Sequence, residues 1–230
     1  MTRPPTLGRR PVFVPLLLNR IDGTVPSPDS TRKRDGQAGG RVKKLSVFFL
    51  SFLFLAGMAA KDAKPKFRPY SMDKNYFSCQ IPADWELQRD EEEDSDYKIY
   101  EITLLGPNAD KTSINISYYS GENADFKDHK EFIARNTQDG TGRKQSDIGK
   151  YGEAKPLTLN GRKAFGISRE LKEYASLETK TASSYWLKEK LIVMSAKDGF
   201  YVLSYSAKKE NYGKYLPVFN SVAKSFKPLY

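Results

Sequence analysis

The chain of 230 residues has very little of the chemistry that most catalytic and metal sites need. It contains one cysteine, Cys79, and one histidine, His129. A single cysteine excludes an intramolecular disulfide, and one histidine without spaced cysteine or carboxylate partners does not make a zinc site. The Gly-x-Ser-x-Gly elbow of serine hydrolases is also missing. The motifs therefore assign no catalytic, cofactor-binding or metal-binding residue.

Cys79 and His129 form the one thiol–imidazole combination that could serve as nucleophile and base. Nothing in the sequence brings them together, and each has a plainer interpretation. Cys79 is typical of a small buried strand residue, although an unpaired reactive thiol is the alternative. His129 is typical of a packed or half-exposed residue on a helix. The Asp139–Arg143 segment lacks the glycine spacing of a phosphate-binding loop and indicates a flexible connection.

An acidic run at Asp90–Asp96 is the strongest candidate for a cation site. Its carboxylates could attract Ca²⁺ through oxygen ligands. The run lacks the fixed ligand spacing and the central glycine of an ordered calcium loop, so we interpret it as a solvated hairpin loop. We expect the protein to need neither a metal nor a cofactor to fold.

The chain also lacks an apolar run of the roughly 20 residues that span a bilayer. The apolar stretch at residues 45–55 is shorter, follows Arg41, Lys43 and Lys44, and precedes the small residues 56–60. This order is typical of a secretory signal peptide. We therefore predict a signal peptide at residues 42–60, cleavage near Ala59 or Ala60, and a periplasmic or secreted protein of bacterial origin. No cysteine follows the apolar stretch before Cys79, which argues against a lipoprotein anchor.

A signal peptide that begins some forty residues into the chain needs an explanation. Residues 1–41 show no helical or strand periodicity, and Val42 followed by two lysines makes a well-formed signal-peptide start. Our interpretation is that residues 1–41 are an upstream extension translated from a wrong start. The alternative is a long basic segment that belongs to the signal peptide.

The net charge of +10 is unevenly distributed along the chain. Residues 1–60 contain 10 lysines and arginines against 3 acidic residues, which leaves +3 for the remaining 170 residues. A nucleic-acid partner is therefore not favoured, because the basicity belongs mainly to the part that is removed. About 170 residues is the size of one domain. We place an extended leader at residues 61–69 and a single domain at residues 70–230.

Alternating and turn-forming residues predict an antiparallel sheet. Residues 112–119 put Ile114, Ile116 and Tyr118 on one face, as expected of a half-buried strand. Asn160-Gly161 and Asp198-Gly199 lie between apolar segments and accept the positive φ angles of hairpin turns. Further strands are predicted at residues 75–81, 97–105 and 181–186, and in the longer alternative the last one runs on to Leu191.

Helical spacing predicts two helices that pack on this sheet. One covers Asp125–Arg135 with Asn123 or Asp125 as its N-cap, and the other covers the apolar residues from Tyr212 to Phe226. We expect Trp85 and Phe226 to be buried in one hydrophobic core. The predicted fold class is α+β, with an antiparallel sheet and helices on its faces.

Four segments resemble the PsbP-like (PsbP/Mog-type) family: residues 76–85 (YFSCQIPADW), 160–164 (NGRKA), 199–207 (GFYVLSYSA) and 215–226 (YLPVFNSVAKSF). The resemblance extends over about residues 70–228. It implies an antiparallel sheet sandwiched by helices, in proteins that assist protein assemblies without catalysing a reaction. These motifs are structural, so they support the fold more strongly than any activity.

Two functional hypotheses follow. The first is an exported, non-enzymatic PsbP-like domain that binds an envelope protein or complex, without nucleic acid and without a stable membrane span after signal cleavage. The alternative is a small periplasmic hydrolase or ligand-processing enzyme with a carboxylate site. Glu101, Glu170 and Glu189 lie on predicted strands and could converge to form that site, although strand glutamates usually face solvent.

Overall fold

The computed structural model describes residues 65–107, 111–174 and 183–228. The predicted upstream extension at 1–41 and the signal peptide at 42–60 lie outside these residues. Within them the elements follow in the order β1 (Phe67–Ser71), β2 (Phe77–Pro82), β3 (Glu86–Gln88), α1 (Glu91–Tyr97), β4 (Ile99–Leu105), β5 (Ser113–Tyr119), α2 (His129–Asn136), β6 (Gly149–Tyr151), β7 (Lys155–Leu159), β8 (Arg162–Tyr174), β9 (Ser184–Ser195), β10 (Phe200–Lys208), α3 (Tyr212–Ser225) and β11 (Lys227–Pro228).

The strands form one large and one small antiparallel sheet. The large sheet has the order β3-β4-β5-β10-β9-β8-β6, and β7 also pairs with β8. The small sheet has the order β1-β2-β11. Residues 67–69, at the end of the expected leader, belong to β1 and pair with β2. The α+β class and the antiparallel pairing that the sequence predicts are confirmed.

Both predicted hairpins are present. Leu159 pairs with Arg162 across a two-residue turn in which Asn160 has a φ of 48° and Gly161 a φ of 80°. Two consecutive positive φ angles are what a tight hairpin turn needs. In the turn between β9 and β10, Gly199 has a φ of 93°, and a Cβ there would lie 1.9 Å from the carbonyl oxygen of Tyr119. Only glycine fits this position.

The two faces of the large sheet contribute to two separate hydrophobic cores. The first core joins α3 and the small sheet to one set of alternating strand residues, including Ile116, Leu203 and Ile192. The second core joins Phe132 of α2 to the other set, including Val193 and Val202. Because of this double burial, the prediction that 112–119 is a half-buried strand is wrong: both Ile116 and Ser117 are buried.

Trp85 and Phe226 both lie in the first core, as predicted. The Trp85 ring meets the Tyr215 ring edge-on at a centroid distance of 5.8 Å. Phe226 has no exposed surface, and its ring centroid lies 5.7 Å from that of Phe77. Aromatic pairs at these distances stabilise a core beyond the area they bury.

Both predicted helices are present, and the mid-chain helix differs from the prediction at its start. The mid-chain helix begins at His129, and its N-cap is Asp128, whose Oδ1 accepts hydrogen bonds of 2.9 Å from the N–H groups of Lys130 and Glu131. Asn123, a predicted cap, instead accepts a hydrogen bond from the N–H of Phe126 and forms a turn. The closing helix is present at Tyr212–Ser225. No helix among residues 65–107, 111–174 and 183–228 is long and apolar enough to cross a membrane.

Candidate functional site

The structure does not bring Cys79 and His129 together. Cys79 lies on β2 in the first core, whereas His129 begins α2, which packs on the other face of the large sheet. Burial raises the pKa of the Cys79 thiol to about 12. The nucleophilic form of cysteine is the thiolate, so the buried thiol is chemically inert at neutral pH.

We expect Cys79 to resist modification in the native protein. A thiol reagent such as DTNB should react with it only at the rate at which the fold opens, because the side chain is 5% exposed and protonated. In guanidinium chloride the same thiol should react quickly and in a one-to-one ratio. The colorimetric time course measures both rates. Fast stoichiometric reaction before unfolding would show that Cys79 is accessible and would reopen the reactive-thiol alternative.

The three glutamates named as a possible carboxylate site do not converge. Glu170 lies on the face of the large sheet that carries α3, because it pairs with Lys188, which shares its face with Ile192 of the first core. Glu101 and Glu189 lie on the opposite face. They are also separated there, since β5 and β10 lie between β4 and β9.

Glu189 belongs to a buried polar group that holds α2 on the sheet. Its carboxylate accepts a hydrogen bond from Nε of Arg169, and both side chains are about 95% buried. Nη1 of Arg169 donates to Oδ1 of Asn136 at 2.6 Å, and Nδ2 of Asn136 donates to the carbonyl of Phe132 at 2.8 Å. The side chains of Arg169, Glu189 and Asn136 are thus joined by hydrogen bonds, which indicates a structural role.

The acidic run at Asp90–Asp96 was predicted as a hairpin loop, but from Glu91 onward it belongs to the helix α1. Arg89 donates from Nε to Asp94 at 2.9 Å and from Nη1 to Asp73 at 2.6 Å. The other oxygen of Asp94 accepts the N–H of Glu101 at 3.0 Å. Burial raises the pKa of Asp94, and these hydrogen bonds oppose that shift. Asp94 therefore ties α1 to β4.

The described residues contain no group of three or more histidine, cysteine, aspartate or glutamate side chains arranged to hold a metal ion.

The candidate functional site is a surface on the α3 side of the large sheet. Here β8 and β9 are 13 and 12 residues long. On β9, lysines beside α3 take the place of the apolar residues Ile192 and Met194 of the first core and form a basic surface. We call it the lysine–aromatic face; its lysines are Lys150, Lys172, Lys188, Lys190 and Lys209, and its aromatic residues are Tyr174, Trp186 and Tyr212.

Strand register explains why these lysines share one face. Side chains alternate between the two faces along β9. One face carries Trp186, Lys188 and Lys190, on the same side as Ile192 and Met194 of the first core. The other face carries Leu187, Glu189 and Leu191. Lys150 of β6 and Lys188 of β9 lie on either side of Glu170 of β8.

Glu170 is the carboxylate at the centre of the lysine–aromatic face. Nζ of Lys209 lies 2.9 Å from its Oε2, and Nζ of Lys150 lies 3.9 Å from the same atom. The hydrogen bond from Lys209 lowers the pKa of Glu170, and the charges of Lys150 and Lys188 act in the same direction. The glutamate side chain is 18% exposed, whereas Lys209 and Lys150 are about half exposed.

The lysine side chains also lie over aromatic rings. Nζ of Lys188 is 4.8 Å from the ring centroid of Tyr212, and Nζ of Lys150 is 5.1 Å from that of Trp186. Such contacts contribute about 0.5–1 kcal/mol each at exposed sites and hold the long side chains in defined positions. The face thus presents ordered positive charges beside partly exposed rings.

Sequence reasoning missed this site because it treated charged strand residues as the solvent face of a sheet. The available signal was the spacing of Trp186, Lys188 and Lys190 at alternate positions of one strand. The contribution of Lys150 and Lys209 was not visible, since Lys150 reaches Glu170 from β6 and Lys209 reaches it from the turn after β10.

No protein-family model and no curated protein matches this chain. Among solved structures, cyanobacterial PsbP (CyanoP) from Synechocystis is similar with a TM-score of 0.42 and 12% identity, over 75% of this chain and 98% of that one. The Ran-binding protein Mog1p of Saccharomyces cerevisiae has a TM-score of 0.42 and 10% identity, over 72% and 96%.

The chain resembles PsbP and Mog1p. A third similar structure is LpqN, involved in cell envelope biogenesis of Mycobacterium tuberculosis, with a TM-score of 0.40 and 15% identity over 72% of this chain and 92% of that one. At these identities and TM-scores the three structures carry no conclusion about family or function.

Proposed function

We propose that this protein is an exported, non-enzymatic binding domain with the α-β-α sandwich of PsbP/Mog type. It contacts an acidic segment of a cell-envelope protein through its lysine–aromatic face. The observation that carries the proposal is the placement of three lysines, Lys150, Lys188 and Lys209, around the carboxylate of Glu170.

The charge of the face supports an acidic partner. Five lysines on one surface attract a carboxylate-rich segment, and the attraction acts over about 8 Å at physiological ionic strength. Complementary charge of this kind speeds association and selects partners. The rings add apolar contact area, with Tyr174 at 47% exposed and Trp186 partly buried. Aromatic residues at the centre of an interface often dominate its binding energy.

We propose a non-enzymatic protein because of where the candidate catalytic residues lie. Cys79 is a buried thiol in the first core, and Glu101, Glu170 and Glu189 lie apart. Glu189 is held by Arg169 and Glu170 by Lys209, so both carboxylates serve existing ion pairs. The predicted signal peptide supplies the export step and places the partner in the envelope.

Binding of a fluorescein-labelled oligoglutamate peptide to the mature protein tests the proposal. At low ionic strength the peptide should bind, and Lys188→Gln/Lys190→Gln should weaken binding by ~5–30-fold, since two charge contacts at half-buried lysines contribute about 1–2 kcal/mol. Fluorescence anisotropy gives the dissociation constants. The control Lys163→Gln/Lys197→Gln removes the same charge from two exposed lysines elsewhere and should leave binding within about twofold.

Two results would contradict this function. Equal losses in the control and test variants would show attraction by net charge alone. Binding to vesicles that contain phosphatidylglycerol, without binding to the peptide, would indicate a lipid surface in place of a protein partner.

Affinity capture from envelope extract then identifies the partner, which should be retained by the control variant and lost by Lys188→Gln/Lys190→Gln.

A further inference from the structure

Glu170 occupies the place in the lysine–aromatic face where a carboxylate is bound best. Its Oε2 lies 2.9 Å from Nζ of Lys209 and 3.9 Å from Nζ of Lys150, with Lys188 opposite it on β9. Lys209 lies just after the end of β10, and its N–H donates to the carbonyl of Trp186. Its side chain therefore reaches across β9 to meet Glu170 on β8.

We propose that Glu170 is an internal competitor for the acidic partner: its carboxylate holds Lys150 and Lys209 until a carboxylate of the partner displaces it. This inference rests on the proposed function and names the ligand group, a side-chain carboxylate, together with the residue that sets the affinity. Nζ of Lys188 lies over the ring of Tyr212, and Nζ of Lys190 lies over the ring of Phe219 and donates to Oδ1 of Asn220 at 3.3 Å. Both lysines lie on the flank of α3, beside the Glu170 ion pairs, and make the first encounter with the partner.

The position of Glu170 favours competition over a purely structural role. The exposed ends of its ion pairs are screened by water, so the pairs add little to folding stability. A single carboxylate among several ammonium groups leaves a net positive site that a second carboxylate can enter. Binding then requires the loss of the Lys209–Glu170 hydrogen bond. This loss keeps the affinity for isolated carboxylates low and favours partners that present several carboxylates.

The first test is the variant Glu170→Gln, which keeps the shape of the side chain and removes its charge. It should bind the oligoglutamate peptide about threefold to tenfold more tightly than the unmodified protein. The matched control is Glu173→Gln, on the same strand but on the opposite face, where Glu173 accepts a hydrogen bond from Tyr185. Equal tightening by the control would overturn the inference, since it would reflect net charge alone.

The second test is a double-mutant cycle between Glu170 and Lys209. In the unmodified protein Lys209 is tied to Glu170, so Lys209→Gln should weaken peptide binding by no more than about twofold. In the Glu170→Gln background Lys209 is released to the peptide, and the same substitution should weaken binding by about fivefold. Equal effects in both backgrounds would show that Glu170 does not compete for Lys209 and would overturn the inference.

The outcomes separate this inference from the proposed function. If the peptide binds and depends on Lys188 and Lys190, yet Glu170→Gln changes nothing, only the competitor role is overturned. If neither the unmodified protein nor Glu170→Gln binds the peptide, both are overturned. If inorganic polyphosphate binds far more tightly than oligoglutamate and gains equally from Glu170→Gln, the assignment of a carboxylate ligand is overturned.

Discussion

Replacing Phe226 by alanine is expected to lower the free energy of unfolding by about 3–5 kcal/mol. The ring is fully buried between Phe77 and Tyr201, with centroid distances of 5.7 Å and 5.4 Å. Its removal leaves a cavity at the point where α3, the small sheet and the large sheet meet. Urea or guanidinium denaturation followed by tryptophan fluorescence measures the change, because Trp85 lies in the same core.

Phe165→Ala is the matched control for this prediction. Phe165 is an equally large ring on β8, but it is 36% exposed, and its loss should cost about 1 kcal/mol or less. A change near zero at Phe226 would show that the end of α3 is not docked on the core as described.

Breaking the buried ion pair between Arg169 and Glu189 should have an effect of similar size. Both side chains are about 95% buried, so Glu189→Ala leaves an unpaired guanidinium in the interior and should cost about 3–5 kcal/mol. The double variant Arg169→Met/Glu189→Leu leaves no charge behind. Its remaining cost should be about 1–3 kcal/mol, since Oδ1 of Asn136 loses its donor.

The comparison of single and double variants decides whether the pair acts as a unit. Arg169→Met alone strands the carboxylate of Glu189, so each single variant should be less stable than the double variant. If the losses of the two single variants simply added in the double, the residues would be energetically independent, contrary to the hydrogen bond between them.

The parts of this fold that the sequence predicted are those with a local cause. The turn at Asn160-Gly161 needs two positive φ angles, and few residues other than asparagine and glycine accept them, so the hairpin was predictable. The burial of Trp85 and Phe226 followed from large apolar side chains at the ends of elements. The spacing of apolar residues from Tyr212 onward was sufficient to predict α3.

The parts that the sequence did not predict depend on distant residues. The acidic run from Asp90 gave no helical pattern of apolar residues, and α1 is fixed instead by Arg89 and the N–H of Glu101 holding Asp94. The burial of Ser117 depends on the second core, in which α2 covers this face of the large sheet. The candidate site depends on Lys150 and Lys209 meeting Glu170 from different strands, which no local spacing reveals.

The small sheet has a consequence for the order in which the chain folds. Its central strand, β2, pairs with β11 through Ser78 and Lys227, so the two partners are separated by about 150 residues of chain. Contacts over such distances form late, because a long loop must close first. The sheet cannot be completed until Lys227 has been synthesised. Until then the edge of β2 that faces β11 has no partner strand, so the docking of the C-terminal end of α3 and the completion of the small sheet are expected to be late steps of folding.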